Sequence, residues 1–135
     1  MKKALFFIGI CVFFLSGCSA QMKKPSEKIK SISATELIAK SNSTNNFSFV
    51  ITLKDCPLCN KFFTLIDNNS SISIDYEVNL DKNDKDYKTD LNLLYDTFPE
   101  IEATPEIFIK KGNKFTRYPD EIDDNKLTKW FNENN

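Results

Sequence analysis

Phe47-Ser48-Phe49-Val50-Ile51-Thr52-Leu53-Lys54-Asp55-Cys56-Pro57-Leu58-Cys59-Asn60-Lys61-Phe62-Phe63 joins a strand-like run to a helix-like run through a CxxC pair. Phe47 to Leu53 is aromatic, β-branched and nearly continuous in apolarity, the pattern of a central strand buried on both faces. Asn60 to Asp67 carries Phe62, Phe63, Leu65 and Ile66 at helical spacing. Cys56 and Cys59 therefore fall where a helix begins. Two thiols at that spacing can close a disulfide within one helical turn, and the free backbone N–H groups of a helix N-terminus stabilise the thiolate of the first. Taken alone, the same pattern also fits half of a zinc site or a small structural staple.

Upstream, Asn42 to Asn46 is a turn-rich break. Before it, Ser33-Ala34-Thr35-Glu36 fits a capping box, and Leu37 and Ile38 add an apolar contact for a short helix running to Ser41. Downstream, Ile72 to Leu80 reads as a second strand with Ile72, Ile74, Tyr76 and Val78 on one face by alternation. A helix between the two strands makes their pairing parallel. Asp81 to Asp86 is a charged, solvated turn; Lys85 at a ligand position and no glycine at the sharp turn argue against a calcium loop. Tyr87, Leu91, Leu94, Tyr95 and Phe98 put a helix over Asp86 to Phe98, ended by Pro99. Glu106 to Lys110 and Lys114 to Tyr118 flank Lys111-Gly112-Asn113, a hairpin signal. Asp123 or Asp124 can cap a last helix with Leu127, Trp130 and Phe131 on one face.

The 135 residues contain no histidine, which removes Ser-His and Cys-His catalysis, histidine proton shuttles and most catalytic zinc sites. A zinc site would have two thiolates plus carboxylates, a poor match to closed four-ligand sites, so no metal and no separate cofactor is expected. The chain begins with Met1, Lys2 and Lys3, followed by an apolar run of 12 residues from Ala4 to Leu15 and the small residues Ser16 and Gly17 before Cys18. That is the form of an export signal over residues 1–17, too short for the roughly 18 residues a membrane span needs. Leu15-Ser16-Gly17-Cys18 resembles the lipobox of bacterial lipoproteins, in which the cysteine takes a diacylglycerol and becomes the first mature residue. That resemblance implies lipidation of Cys18 and a place on the extracytoplasmic face of the cell membrane, where two acyl chains hold a protein durably.

A chain starting at Cys18 keeps 118 residues and loses Cys11 with the leader, so Cys56 and Cys59 have only each other to pair with. Without Lys2 and Lys3 it holds 16 Lys+Arg against 19 Asp+Glu, and no basic face suggests nucleic acid as a partner. Residues 18–31, polar and interrupted by Pro25, read as a lipid-anchored flexible tether of roughly 20 Å ahead of a domain over 32–135.

The order helix, strand, helix with CxxC at its start, strand, helix, strand, strand, helix resembles the thioredoxin fold over residues 32 to 135. This is an α/β architecture with a central mixed sheet flanked by helices. Ala103-Thr104-Pro105, just before the third core strand, is a second matched point. The resemblance implies a cis Pro105 facing the cysteines, Cys56 as the exposed attacking thiol and Cys59 as the buried resolving thiol. It also implies that Pro57 and Leu58 shape the helix start, and that Thr104 offers its backbone to an extended substrate segment while Pro105 shields the thiols. Three departures stand out. Thioredoxins have tryptophan where this chain has Asp55, whose charge disfavours a Cys56 thiolate. Many have a buried acid six residues before the first cysteine, where this chain has Val50, so the assistance that acid gives to thiol exchange is missing or comes from elsewhere. Strongly oxidising relatives often have histidine between the cysteines, where this chain has Pro57 and Leu58; Lys54 and Lys61 are the nearby bases.

The CPxC form, the leader and Asn60-Lys61-Phe62 are similar to thioredoxin-like accessory proteins of bacteriocin production and transport in Gram-positive bacteria. The expectation is a membrane-anchored thiol–disulfide oxidoreductase acting on exported proteins or peptides, its redox group the Cys56–Cys59 disulfide. A membrane redox partner is required if it works as a reductase. The alternative is a non-catalytic binding lipoprotein of an export system, with Cys56–Cys59 as a permanent staple.

Overall fold

The structure, a computed structural model, describes residues 28–135. The expected leader, Cys18 and the tether as far as residue 27 lie outside the described residues. Five strands and four helices follow in the order β1 (Lys30–Ser31), α1 (Ala34–Ser41), β2 (Phe47–Leu53), α2 (Pro57–Asn68), β3 (Tyr76–Leu80), α3 (Tyr87–Thr97), β4 (Glu106–Lys111), β5 (Lys114–Arg117) and α4 (Asp124–Asn134). They form one sheet in the order β1-β3-β2-β4-β5. β3 is parallel to β1 and β2, and β4 is antiparallel to β2 and β5. The mixed α/β architecture expected from the sequence is the one observed.

β2 is central because every residue from Phe47 to Thr52 is buried, and it divides the interior by alternation. Phe47, Phe49 and Ile51 join a core with Leu37, Val78, Leu80, Leu94, Phe98 and Phe108, against α1 and α3. Val50 joins the opposite core with Cys59, Phe62, Phe63, Ile107, Leu127, Trp130 and Phe131, against α2 and α4. Phe49 anchors the first core: its ring stacks on Phe108 at 5.0 Å and tilts against Phe98 at 5.2 Å between centroids. Such contacts add about 0.5–1.5 kcal/mol each beyond the area they bury.

Helix starts follow local chemistry. Ser33 Oγ accepts the Glu36 N–H at 3.1 Å, while the Glu36 carboxylate faces Lys30 at 3.8 Å, so the cap works in one direction. Asp123 Oδ1 accepts the Lys126 N–H at 3.0 Å and opens α4. Gly112 has φ +57° and, with Asn113, makes the two-residue turn between Lys111 and its partner Lys114.

Two expectations change. Lys30 and Ser31, assigned by sequence to the end of the tether, are an edge strand: Lys30 N–H donates to Asp75 O at 3.0 Å and Ile32 N–H to Glu77 O at 2.9 Å. A two-residue strand shows no alternation for a sequence reading to find. Ile72, Ile74, Tyr76 and Val78 also do not share a face. Ile72 and Ile74 belong to the α2/α4 core, whereas Val78, with Tyr76 packed beside it, belongs to the other. The ladder starts only at Tyr76, because Asp75 is held across to Ser48, its carboxylate accepting from Ser48 N–H at 2.8 Å and Oγ at 3.0 Å.

Candidate redox site at the start of the second helix

Asp55 has φ +62°, a left-handed conformation that aspartate tolerates better than most residues. That reversal carries the chain out of β2 and into α2, with Cys56 N–H donating back to Leu53 O at 3.2 Å. Cys56 is the N-cap of α2 and Pro57 its first residue, where a missing N–H costs nothing. The sulfur of Cys56 accepts the Cys59 N–H at 3.1 Å, so a donor left free by the helix start is aimed at the atom where thiolate charge would develop.

Cys56 and Cys59 form a disulfide with their Cα atoms 5.3 Å apart. Their environments differ. Cys56 is half-buried at the surface, and Cys59 is 3% exposed within the α2/α4 core. One sulfur can be reached from outside and the other cannot.

The Thr104-Pro105 peptide is cis. Thr104 lies against Cys56: its hydroxyl and its carbonyl oxygen are each 3.5 Å from Cys56 Sγ. The hydroxyl donates to the sulfur, a second contact that favours negative charge there. The resemblance implies only that Thr104 offers its backbone to a substrate segment; the side-chain contact with Cys56 depends on how the loop closes, which no local pattern specifies.

Glu106 holds that loop in place. Its buried carboxylate accepts backbone N–H groups from Glu102 at 3.0 Å and Ala103 at 3.1 Å. It also takes Arg117 from β5, Nε at 2.6 Å and Nη2 at 2.9 Å. This pair raises the Arg117 guanidinium above its usual range, the hydrogen bond to Glu106 being the main cause and burial opposing it. Neither residue was singled out from sequence, where both look like ordinary charges on a hairpin.

Leu58, Lys61, Thr104, Pro105, Arg117 and Tyr118 are among the residues lining a groove of about 360 Å³ beside the disulfide. Leu58 is 56% exposed, unusual for a large apolar residue and located where a bound segment would cover it. Of the residues proposed from sequence to meet substrate, Leu58, Thr104 and Pro105 share this groove, and Pro57 stands exposed at its edge of the helix without lining it. The two nearby lysines separate in role: Lys61 lines the groove, whereas Lys54 donates to Asp81 at 2.7 Å. That hydrogen bond holds the Asp81 carboxyl below and the Lys54 amine above their ordinary values. Val50 is fully buried and apolar, so β2 brings no acid beneath the cysteines. Among the described residues no group of three or more metal-ligating side chains converges.

No protein-family model matches the sequence, and no curated protein matches it. Solved structures do. The J-Trx1 fragment of ERdj5 superposes with a TM-score of 0.55 at 15% identity, covering 79% of this chain and 50% of that one. Thioredoxin from Aeropyrum pernix gives a TM-score of 0.55 at 13% identity, covering 76% of this chain and 83% of that one. The chain thus spans about half the length of the ERdj5 fragment. With the sheet order, the CxxC pair opening α2 and the cis proline against it, these likenesses identify the architecture of residues 28–135 as the thioredoxin fold.

Proposed function

We propose that this protein is a membrane-anchored thiol–disulfide oxidoreductase acting on exported proteins or peptides through Cys56 and Cys59. The observation that carries the reading is the asymmetry of the pair: Cys56 is reachable, with its sulfur contacted by the Cys59 N–H and the Thr104 hydroxyl, and Cys59 is enclosed. In the oxidising direction a substrate thiolate attacks Cys56 Sγ, the Cys56–Cys59 bond breaks and Cys59 leaves as a thiolate. A second substrate thiolate then releases Cys56, so the substrate gains a disulfide and the protein becomes a dithiol. The reverse sequence reduces a substrate and needs a membrane partner to restore the dithiol.

The extracytoplasmic, lipid-anchored setting is supported by the leader and by Leu15-Ser16-Gly17-Cys18, and an oxidising compartment suits a disulfide at rest. Accessory work for bacteriocin export fits the same leader and the CPxC form, with secreted peptides as substrates. Expressing C59S in the producing cell and separating proteins without reductant tests the reading. The expected result is a ladder of reducible adducts on Cys56, abolished by C56S, because the resolving thiol is gone. A C56S protein that keeps its cellular role, with no adducts on C59S, would show that the pair is a staple in a binding protein.

A further inference from the structure

Glu77 has no exposed surface, and one of its carboxylate oxygens, Oε2, has no hydrogen-bond partner. An unsatisfied buried carboxylate is costly, and a native structure that keeps one calls for an explanation. The other buried glutamate among the described residues, Glu106, has both oxygens engaged by Arg117 and the 102–103 backbone, so its place is accounted for.

The position of Glu77 supplies the explanation. It is the register partner of Val50 in the parallel β2–β3 pair, and Val50 packs in the same core as Cys59. Val78 and Leu80 face the α1/α3 core, so Glu77 faces the side covered by α2 and α4. From there its carboxylate leans along the strands: Oε1 accepts Thr52 Oγ1 at 2.5 Å and Asn79 Nδ2 at 3.2 Å, two residues beyond the level of its own Cα. That is the direction in which β2 runs on to Cys56. Thr52 and Asn79 hold one oxygen and leave the other without a partner, on the sheet face that α2 covers.

The geometry points to Glu77 as the proton acceptor for Cys59, a role that rests on the oxidoreductase reading. Cys59 is buried away from solvent bases, and β2 itself, with Ser48, Val50 and Thr52 on that face, brings no acid. When a mixed disulfide on Cys56 is resolved, the Cys59 S–H proton passes to Glu77, the Cys59 thiolate attacks Cys56 Sγ, and the Cys56–Cys59 bond forms. The bond to the substrate breaks and the substrate leaves as a thiolate. In the opposite direction Glu77 returns the proton to the departing Cys59.

Stopped-flow mixing of the reduced full chain with dithiobis(nitrobenzoate) separates the two steps. The protein carries C11S and C18S, so that only the active pair reacts, and is held in detergent. The first thionitrobenzoate released reports attack by Cys56, and the second reports resolution by Cys59. In E77Q, which keeps an acceptor for Thr52 and Asn79, the first phase should stay within about twofold and the second should slow at least about tenfold. The double variant V50D/E77V moves the acid to the adjacent strand at the same register, and the second phase should recover to within about threefold of the parent. E77Q with both phases unchanged overturns the role, as does a folded V50D/E77V whose second phase stays slow. If E77Q fails to fold, the double variant decides by the same criterion. A parent that releases no second thionitrobenzoate refutes the oxidoreductase reading itself, and this role falls with it.

Discussion

Lys110 sits in β4 with no exposed surface, on the face that carries Phe108. Its stem passes the rings of Phe47 and Phe115, with Nζ 5.7 and 5.8 Å from their centroids. Its nitrogen donates to Ser43 O at 2.5 Å, to Asn45 O at 3.2 Å and to Gly112 O. One side chain therefore ties the loop before β2 to the hairpin turn, three carbonyls that no ladder serves. K110M keeps the apolar stem and removes the donor. It should lower stability by about 1–3 kcal/mol, because the freed carbonyls near the surface recover water only in part. The midpoint of urea unfolding checks this, and an unchanged midpoint would show that water replaces the amine without cost. Sequence reading takes Lys110 as the polar end of a strand, since nothing local reveals that three backbone oxygens converge above it.

The elements most legible in the sequence are those whose burial is set by their own pattern. β2 has the bounds its nearly continuous apolarity predicts, and α3 falls one residue inside the predicted Asp86 to Phe98 at each end, those two residues being its caps. In β3, Glu77 and Asn79 look like the wet face of an amphipathic strand, but helices cover both sides of this sheet and that face is dry at Glu77. The same enclosure governs the join between β5 and α4. Tyr118 follows β5, packs edge-on against Trp130 at 5.4 Å and donates its hydroxyl to Glu121 O at 3.0 Å. Burial, then the carboxylates of Asp120 and Asp123, push its hydroxyl up to about 12. Between its ordinary value near 10 and that value the unfolded chain gives up the proton and the folded chain keeps it. Stability is therefore fully present below about pH 10 and is lost as pH rises toward 12. Y118F should have a flatter stability profile across that window, measured by urea unfolding at each pH; a slope equal to the parent's would assign the loss to other groups.

Two apolar cores on opposite faces of one sheet fix the ends of β2 and β4, and the Cys56–Cys59 pair lies where those ends meet. β2 delivers Cys56 through the Asp55 reversal, α2 encloses Cys59, and Glu106 with Arg117 sets the 103–105 loop against the sulfur. Cys56 and Cys59 could be found by their spacing at a helix start, and Pro105 only through the resemblance to the thioredoxin fold. Glu77, Thr52, Glu106 and Arg117 could not, because their roles come from pairing across strands that only the folded sheet brings together. Whether Cys56–Cys59 exchanges with substrates is read from the reduction potential of the pair. The full chain carrying C11S and C18S would be equilibrated in glutathione and dithiothreitol buffers and its thiols counted. A potential between about −270 and −120 mV is predicted, the range in which a CxxC pair passes electrons to and from other thiols. A value far below about −300 mV would contradict it, showing a bond too stable to exchange and a disulfide that serves only to hold the fold.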